Sequence, residues 1–297
     1  MLFRVDAMFK YRLLSGTLMA AAFIALVIFD GWLDGSLTAS TADDKLVRAT
    51  LLMVVVAAIV TLGGLELSRL AAGRGLVVLN PVCAIGLVLL STAWYWPPLV
   101  HLPLGLFVLL MAALVLAGLM LSQYLRHGTE GAMANCGISC FTLMYLGLLG
   151  AFLLGVRIDA GPMATLLFIL AVKSSDIGAY ISGKLLGKHK FSPRVSPGKT
   201  WEGMAGGLLA AVAISCVFAG LFGIITVWSA LVFGVCIAFI GQLSDLSESV
   251  LKRDAKQKDS SNRVPGFGGI LDVIDSTLFS APFAYVFFAL AMRPAAA

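Results

Sequence analysis

Charge is scarce in this sequence. Of its 297 residues only 12% are Asp, Glu, Lys or Arg, 60% are hydrophobic, and the mean hydropathy is +0.97. A soluble domain carries roughly 25% charged residues, so an ordinary soluble enzyme is excluded. The abundance of apolar residues also excludes intrinsic disorder. Histidine is rarer still: His101, His127 and His189 are too dispersed to form a metal cluster. The five cysteines, Cys83, Cys136, Cys140, Cys216 and Cys236, lie inside apolar runs without a CxxC pair, which implies neither a disulfide framework nor a zinc site. The alternation of apolar and polar positions that marks a transmembrane β-barrel is missing as well. No small-residue cleavage site follows the first apolar run, where Asp30 and Trp32 stand instead, so that run reads as a retained anchor. There is no internal repeat, low-complexity tract or separate soluble domain.

What is present is a series of uncharged runs, among them Leu13 to Phe29, Ala49 to Leu65, Gly75 to Val100, Gly131 to Val156, Gly203 to Ser244 and Ser276 to Met292. A helix needs roughly 17 to 25 such residues to cross a bilayer core. Each long run read as a helix gives about nine transmembrane helices, at 13–30, 47–66, 76–94, 102–124, 133–155, 161–181, 203–221, 224–244 and 277–292. The expected fold is therefore all-α and polytopic, one integral-membrane domain over 1–297. Residues 1–156 form N-terminal apolar helices, and 157–297 form the helices that carry the candidate catalytic residues. The uncharged stretch from Gly203 to Ser244 is expected to divide near Gly223, and Trp94 to Pro98 to form a loop at a membrane interface.

With a cytoplasmic N-terminus, 17 of the 21 Lys and Arg residues fall on the cytoplasmic side and 4 on the other. The positive-inside rule then predicts a cytoplasmic N-terminus and an extracytoplasmic C-terminus, in a membrane of the bacterial inner, cytoplasmic type. Polar loops 182–202 and 245–276 share the cytoplasmic face. The net charge of +5 belongs to such loops and is not a sign of nucleic-acid binding.

Two windows, 171–202 and 244–276, hold 11 of the 21 basic and 8 of the 16 acidic side chains. Asp176 lies within an apolar span, Asp245 and Glu248 end another, and Asp272 and Asp275 precede the last. The i, i+3 spacing places each of the latter two pairs on one helix face. Taken singly, the acids have an ordinary reading: Asp176 pairs with Lys173, and the others with Lys252 or Arg253 in a solvated loop. Taken together, five acids at membrane depth beside eleven cations point to a metal and phosphate site. Carboxylates suit Mg²⁺, which commonly takes one or two acids plus substrate phosphate oxygens. Lys and Arg complete the neutralisation of a polyphosphate.

Gly198-Lys199-Thr200 ends like a Walker A loop, but the first glycine of that pattern would be residue 193, which is proline, so a P-loop is excluded. Ser196, Lys199 and Thr200 remain candidate phosphate contacts. Pro265-Gly-Phe-Gly-Gly269 allows close backbone approach to a ligand. Gly203 and Gly207 form a GxxxG pair expected to pack helices. Glu66 either lines the cavity or pairs with Arg69.

The stretch Ser249-Val-Leu-Lys-Arg253, Lys258-Asp259, Pro265-Gly-Phe-Gly-Gly-Ile-Leu-Asp272 and Asp275-Ser276 resembles the signature of phosphatidate cytidylyltransferases, or CDP-diacylglycerol synthases. Ser175-Asp-Ile-Gly-Ala-Tyr180, Gly183-Lys184, Gly187-Lys-His-Lys190 and Ser196-Pro-Gly-Lys-Thr-Trp-Glu-Gly203 are similar to that family's other cytoplasmic block. The resemblance implies a membrane nucleotidyltransferase of phospholipid biosynthesis, commonly a homodimer among membrane lipids. It would convert CTP and phosphatidate into CDP-diacylglycerol and pyrophosphate at a cytoplasm-facing site. It also implies Mg²⁺ at Asp245 and Asp272, with a place for K⁺ beside it. The candidate catalytic residues are Asp245, Asp272, Asp275, Lys252 and Arg253. The candidate substrate-binding residues are Asp176, Lys184, Ser196, Lys199, Thr200, Lys258, Asp259, Arg263, Gly266, Gly268 and Gly269. Phe267, Val273 and Ser244 stand where the family commonly has histidine, arginine and glycine, so no histidine or arginine role is carried over. Two other classes fit parts of the pattern: a CTP-dependent lipid-alcohol kinase and an ion-coupled transporter.

Overall fold

The computed structural model describes residues 2–37, 48–257, 259–261 and 268–292, and the side chains from residue 16 onward. Its elements, in chain order, are α1 (Leu2–Leu33), α2 (Thr50–Ala72), α3 (Asn80–Ser91), α4 (Pro97–Val100), α5 (Leu104–His127) and α6 (Ala132–Thr142). A π-helical segment (Leu143–Leu148), α7 (Leu149–Gly155) and a second π-helical segment (Val156–Ala160) follow, and then α8 (Gly161–Leu186), α9 (Trp201–Phe222), α10 (Val227–Asp254) and α11 (Ile270–Ala291). Among the described residues there is no strand, and Lys190 and Thr200 form one isolated antiparallel bridge. The all-α expectation holds.

Among the described residues seven helical stretches are long and apolar enough to cross a membrane, and the protein is an integral membrane protein. The expected number was nine, and the difference has two sources. Helix α3 has 12 residues, with Pro81 in its first turn, and is shorter than the other spans. At about 1.5 Å per residue it falls short of a hydrocarbon core of about 30 Å. The expected fifth and sixth spans form one apolar helical run, Ala132–Leu186, because Val156–Ala160 continues as π-helix where a loop was expected. The expected division at Gly223 is present: it ends α9 in the left-handed region, at φ 62°, where glycine carries no Cβ penalty.

The chain forms two compact units, one of residues 1–154 and 255–274, the other of residues 155–254 and 275–297. In the first unit α3 packs against α2, α5 and the first π-helical segment. Glycines let this short helix approach its neighbours: a Cβ on Gly86 would lie 2.7 Å from Leu143 and 2.9 Å from Val115. The start of α2 has no side-chain cap of its own. Asp30, at the end of α1, accepts from the backbone N–H of Leu51 at 2.9 Å and Leu52 at 3.3 Å, which satisfies amides that a helix start leaves without a partner. Trp94 and Trp96 pack on Ala93, Phe107 and Ala151, and the Trp96 indole donates to Thr92 Oγ1 at 2.7 Å.

In the second unit the closest packing is that of α8 against α9. A Cβ on Gly206 would fall on the Ser182 hydroxyl, one on Gly207 would lie 2.9 Å from the Ser175 carbonyl oxygen, and one on Gly178 would lie 2.7 Å from Ala210. The GxxxG pair packs helices, as its spacing predicts. Phe233 of α10 sits among Phe283, Phe287 and Phe288 of α11, with ring centroids 4.8 to 6.3 Å away. This packing sets the loop before α9, and with it Lys199, against α10.

Overpacking a tight site costs about 1–3 kcal/mol, so Gly206→Val is expected to lower the thermal unfolding temperature in detergent. Gly220→Ala, also on α9 but with nothing near its missing Cβ, is expected to leave that temperature unchanged or raise it. Equal unfolding temperatures for Gly206→Val and wild type would contradict the packing described.

Candidate functional site

The loop from Gly187 to Thr200 owes its shape to polar side chains at its two ends. Thr200 caps α9 by accepting from the Gly203 amide at 3.1 Å, a role suited to a threonine hydroxyl. Glu202, in the first turn of α9, accepts from the amides of Lys188 at 3.2 Å and His189 at 3.2 Å, and its other oxygen lies 2.6 Å from His189 Nδ1. The Trp201 amide donates to the His189 carbonyl at 2.9 Å, and Arg253 Nε to the Val195 carbonyl at 3.3 Å. Ser196 accepts from the Lys199 amide through its backbone carbonyl, at 3.2 Å.

Fixed in this way, the loop delivers Lys199 to α10. Its ammonium donates to Asp245 Oδ2 at 3.0 Å and to the Gln242 carbonyl at 3.1 Å. The other oxygen of Asp245 accepts from the Ser276 hydroxyl at 2.8 Å, and that hydroxyl also lies 3.2 Å from Asp275 Oδ1. Lys173 pairs with Asp176 at 3.3 Å, as the ordinary reading of those two residues has it. Lys173 also feels the charges of Asp275 and Asp245. Three carboxylates thus interact with two ammonium groups in the second unit, a balance that favours one more positive charge. Asp176 adds a second sign: its Oδ1 is buried with no hydrogen-bond partner among the described residues. A bare carboxylate oxygen beside excess negative charge suits a hard cation. Among the described residues no three His, Cys, Asp or Glu side chains form a ready metal cluster. Mg²⁺ bound through one or two carboxylates and substrate phosphates does not require one.

A second cluster of carboxylates lies in the first unit. Asp272, in the first turn of α11, accepts through Oδ2 from the amides of Gly269 at 2.7 Å and Ser260 at 3.0 Å, and from the Ser260 hydroxyl at 2.9 Å. Glu66 of α2, with 0% of its surface exposed, accepts from the Leu271 amide at 3.0 Å, Ser260 Oγ at 3.1 Å and Ser261 Oγ at 2.7 Å. Its alternative partner in the sequence reading, Arg69, has no part in these bonds. Gly268 and Gly269 make room for the chain's own groups: a Cβ on Gly268 would lie 2.6 Å from Asp272 Oδ2, and one on Gly269 would fall on the Ser260 hydroxyl and the Glu66 carboxylate.

The expected site residues are thus distributed. Asp176, Lys199, Asp245 and Asp275 come together in the second unit, and Thr200 caps the helix beside them. Asp272, Gly268 and Gly269 come together in the first, with Asp259 exposed next to Ser260. Lys252 pairs with Glu248 at 2.9 Å along α10, the ordinary reading of that acid, and Lys184 sits 5.9 Å from the centre of the Tyr180 ring. Lys258, Arg263 and Gly266 lie outside the described residues, as does Phe267. Glu202, Ser260, Ser261 and Ser276 were not foreseen as site residues. Only Glu202 had a local signal, an acid in the first turn after a Thr cap.

The chain that folds in this way belongs to a known class by its sequence. The cytidylyltransferase family matches the chain over residues 10–291, and the chain belongs to that family. Among individual relatives, the phosphatidate cytidylyltransferase of Haemophilus influenzae is 40% identical over 133 residues, covering 43% of this chain and 46% of the relative. That of Bacillus subtilis is 38% identical over 157 residues, 52% of this chain and 58% of the relative. The uncharacterized protein YnbB of Escherichia coli is 34% identical over 189 residues, 64% of this chain and 62% of the relative. The chain spans about half the length of the curated relatives it matches.

Because Glu202 holds the amides of Lys188 and His189, Glu202→Ala is expected to speed tryptic cleavage after Lys188 and Lys190 several-fold, measured by limited proteolysis in detergent. An unchanged cleavage rate would show that Glu202 does not order this loop.

Proposed function

We propose that this protein is a phosphatidate cytidylyltransferase, transferring the cytidylyl group of CTP to phosphatidate to give CDP-diacylglycerol and pyrophosphate in phospholipid biosynthesis. The observation that carries the reading is the family match over residues 10–291, together with relatives that bear this name. In the reaction a phosphate oxygen of phosphatidate attacks the α-phosphorus of CTP, the bond from that phosphorus to the bridging oxygen breaks, and pyrophosphate leaves with the electron pair. Both reactants are anions, so the protein's task is to neutralise charge and hold them in line. Lys199, which lies between the Asp245 carboxylate and the Gln242 carbonyl, is held to meet phosphate oxygens. Lys173 offsets the acids around it. Asp245 and Asp272 are proposed to hold Mg²⁺, with K⁺ as a second cation, and the uncommitted oxygen of Asp176 supports an additional positive charge. When bound, Mg²⁺ polarises phosphoryl oxygens and offsets the charge of the leaving group.

The proposal extends to topology and assembly: nine crossings, in which the short α3 crosses together with the uncharged residues that flank it, with a cytoplasmic N-terminus and an extracytoplasmic C-terminus, a site facing the cytoplasm of a bacterial-type inner membrane, and a homodimer. The distribution of Lys and Arg supports the orientation. The 55-residue run Ala132–Leu186 supports two crossings, being about twice the length of one. A topology reporter fused after the last residue is expected to be extracytoplasmic, and a cytoplasmic signal would overturn the count or the orientation.

CTP labelled at the α-phosphate is expected to label the lipid product, and γ-labelled CTP is not. The reverse result would identify a lipid kinase. Asp245→Asn removes the charge that a cation and Lys199 both need, and is expected to cost about 10² to 10³ in turnover while the protein remains folded. The comparison is Asp159→Asn. Asp159 accepts from the Tyr285 hydroxyl at 2.8 Å, a bond that an asparagine carbonyl still accepts, so this variant is expected to be nearly silent. Near-normal turnover in Asp245→Asn would exclude Asp245 from the reaction.

A further inference from the structure

Glu66 is the one acid of α2, in a stretch that otherwise reads as a membrane span. A buried carboxylate is costly unless donors meet it. Here the donors come from far along the chain, the Ser260 and Ser261 hydroxyls and the Leu271 amide, which are 194, 195 and 205 residues away in sequence. These three groups flank Asp272. Ser260 lies within hydrogen-bond distance of both carboxylates, 3.1 Å from Glu66 Oε2 and 2.9 Å from Asp272 Oδ2. Its single hydroxyl proton serves one of them at a time, and backbone amides meet the rest of the demand: Leu271 for Glu66, Gly269 and Ser260 for Asp272.

A tether that only joined α2 to this segment would need no more than apolar contacts, which cost less in such surroundings. The arrangement found instead runs through hydrogen bonds from Glu66 to the turn that orients Asp272. It also explains a glycine. Any side chain at position 269 would collide with Ser260 and Glu66, so the second of the two adjacent glycines in this motif is demanded by the node itself.

We infer that Glu66 is a positioning residue. From α2 it fixes residues 259–261 and the first turn of α11, and through Ser260 it sets the orientation of the Asp272 carboxylate. It touches neither substrate nor cation. The inference rests on the proposed role of Asp272, and it gives the N-terminal apolar helices a part in the site beyond scaffolding. Residues that orient a metal-binding carboxylate typically change affinity or activity by about 10- to 100-fold when removed.

Two readouts on the full-length protein in detergent test it. The first is binding of Mn²⁺ alone, as a spectroscopic stand-in for Mg²⁺, followed by electron paramagnetic resonance. The second is hydrogen exchange at the amides of Ser260, Gly269 and Leu271. Glu66→Ala and Ser260→Ala are expected to weaken Mn²⁺ binding by about 10- to 100-fold and to speed exchange at those amides while exchange in α9 stays unchanged. Glu66→Gln keeps an oxygen for Ser260 and Leu271 and offers Ser261 a donor, so it is expected to remain close to wild type in both. Should Glu66→Ala fail to fold, Ser260→Ala decides the matter alone, since it deletes only a hydroxyl. Unchanged exchange and Mn²⁺ affinity in Ser260→Ala would overturn the inference, as would exchange that rises throughout the protein. If Asp272→Asn binds Mn²⁺ as wild type does, the metal role proposed for Asp272 fails, and the exchange measurement alone then decides whether Glu66 holds this turn.

Discussion

A carboxylate surrounded by apolar helices has lost its water, and it survives as an anion only if donors or cations replace that water. The polar chemistry of this protein follows from that constraint. Asp30 is met by the first amides of α2, Glu66 by two hydroxyls and an amide, Asp272 by two amides and a hydroxyl, and Asp245 by Lys199 and Ser276. In each case the donor comes from another element or from the start of a helix, where backbone amides are free. The acids therefore do two things at once: they carry negative charge to a defined place, and they fasten distant parts of the chain.

The apolar packing serves the same end. Small residues bring α8 and α9 into backbone contact, Thr200 fixes where α9 starts, and Glu202 folds the preceding loop back on that start. Lys199 emerges from this sequence of constraints already paired with Asp245. An ammonium held by a carboxylate and a carbonyl has lost much of its freedom before any ligand arrives, so less ordering remains to oppose binding. Around Lys173 and Lys199 three acids face two lysines, so this cluster has room for a further positive charge even though the second unit as a whole is basic.

The helical character and the position of each long span were legible because apolar runs are a local property of the sequence. The break at Gly223 was legible for the same reason. The length of α3 was not, since Leu76 to Trp94 is uncharged throughout while the helix occupies only Asn80–Ser91. Val156–Ala160 contains Arg157 and Asp159 and reads as a loop, yet it continues the helix in π form, with Arg157 fully buried. Among the site residues, the clustering of acids and cations was visible in composition, and Asp245 and Lys199 stood out. Their pairing across 46 residues was not visible. Glu66 could be recognised only as an acid out of place, because every partner it has lies some 200 residues away. The glycines of the 265–269 motif suggested a ligand's approach, and in the described part of that motif the groups approached are the protein's own carboxylates.

The proposed reaction passes a cytidylyl group directly from CTP to a lipid phosphate, with no covalent intermediate on the protein. The most direct measurement is isotope exchange in the reverse direction, in which purified protein is incubated with CTP, Mg²⁺ and labelled pyrophosphate, with and without CDP-diacylglycerol. Label is expected to enter CTP only when CDP-diacylglycerol is present. Absence of exchange in its presence would contradict cytidylyl transfer, and exchange without the lipid would contradict direct transfer.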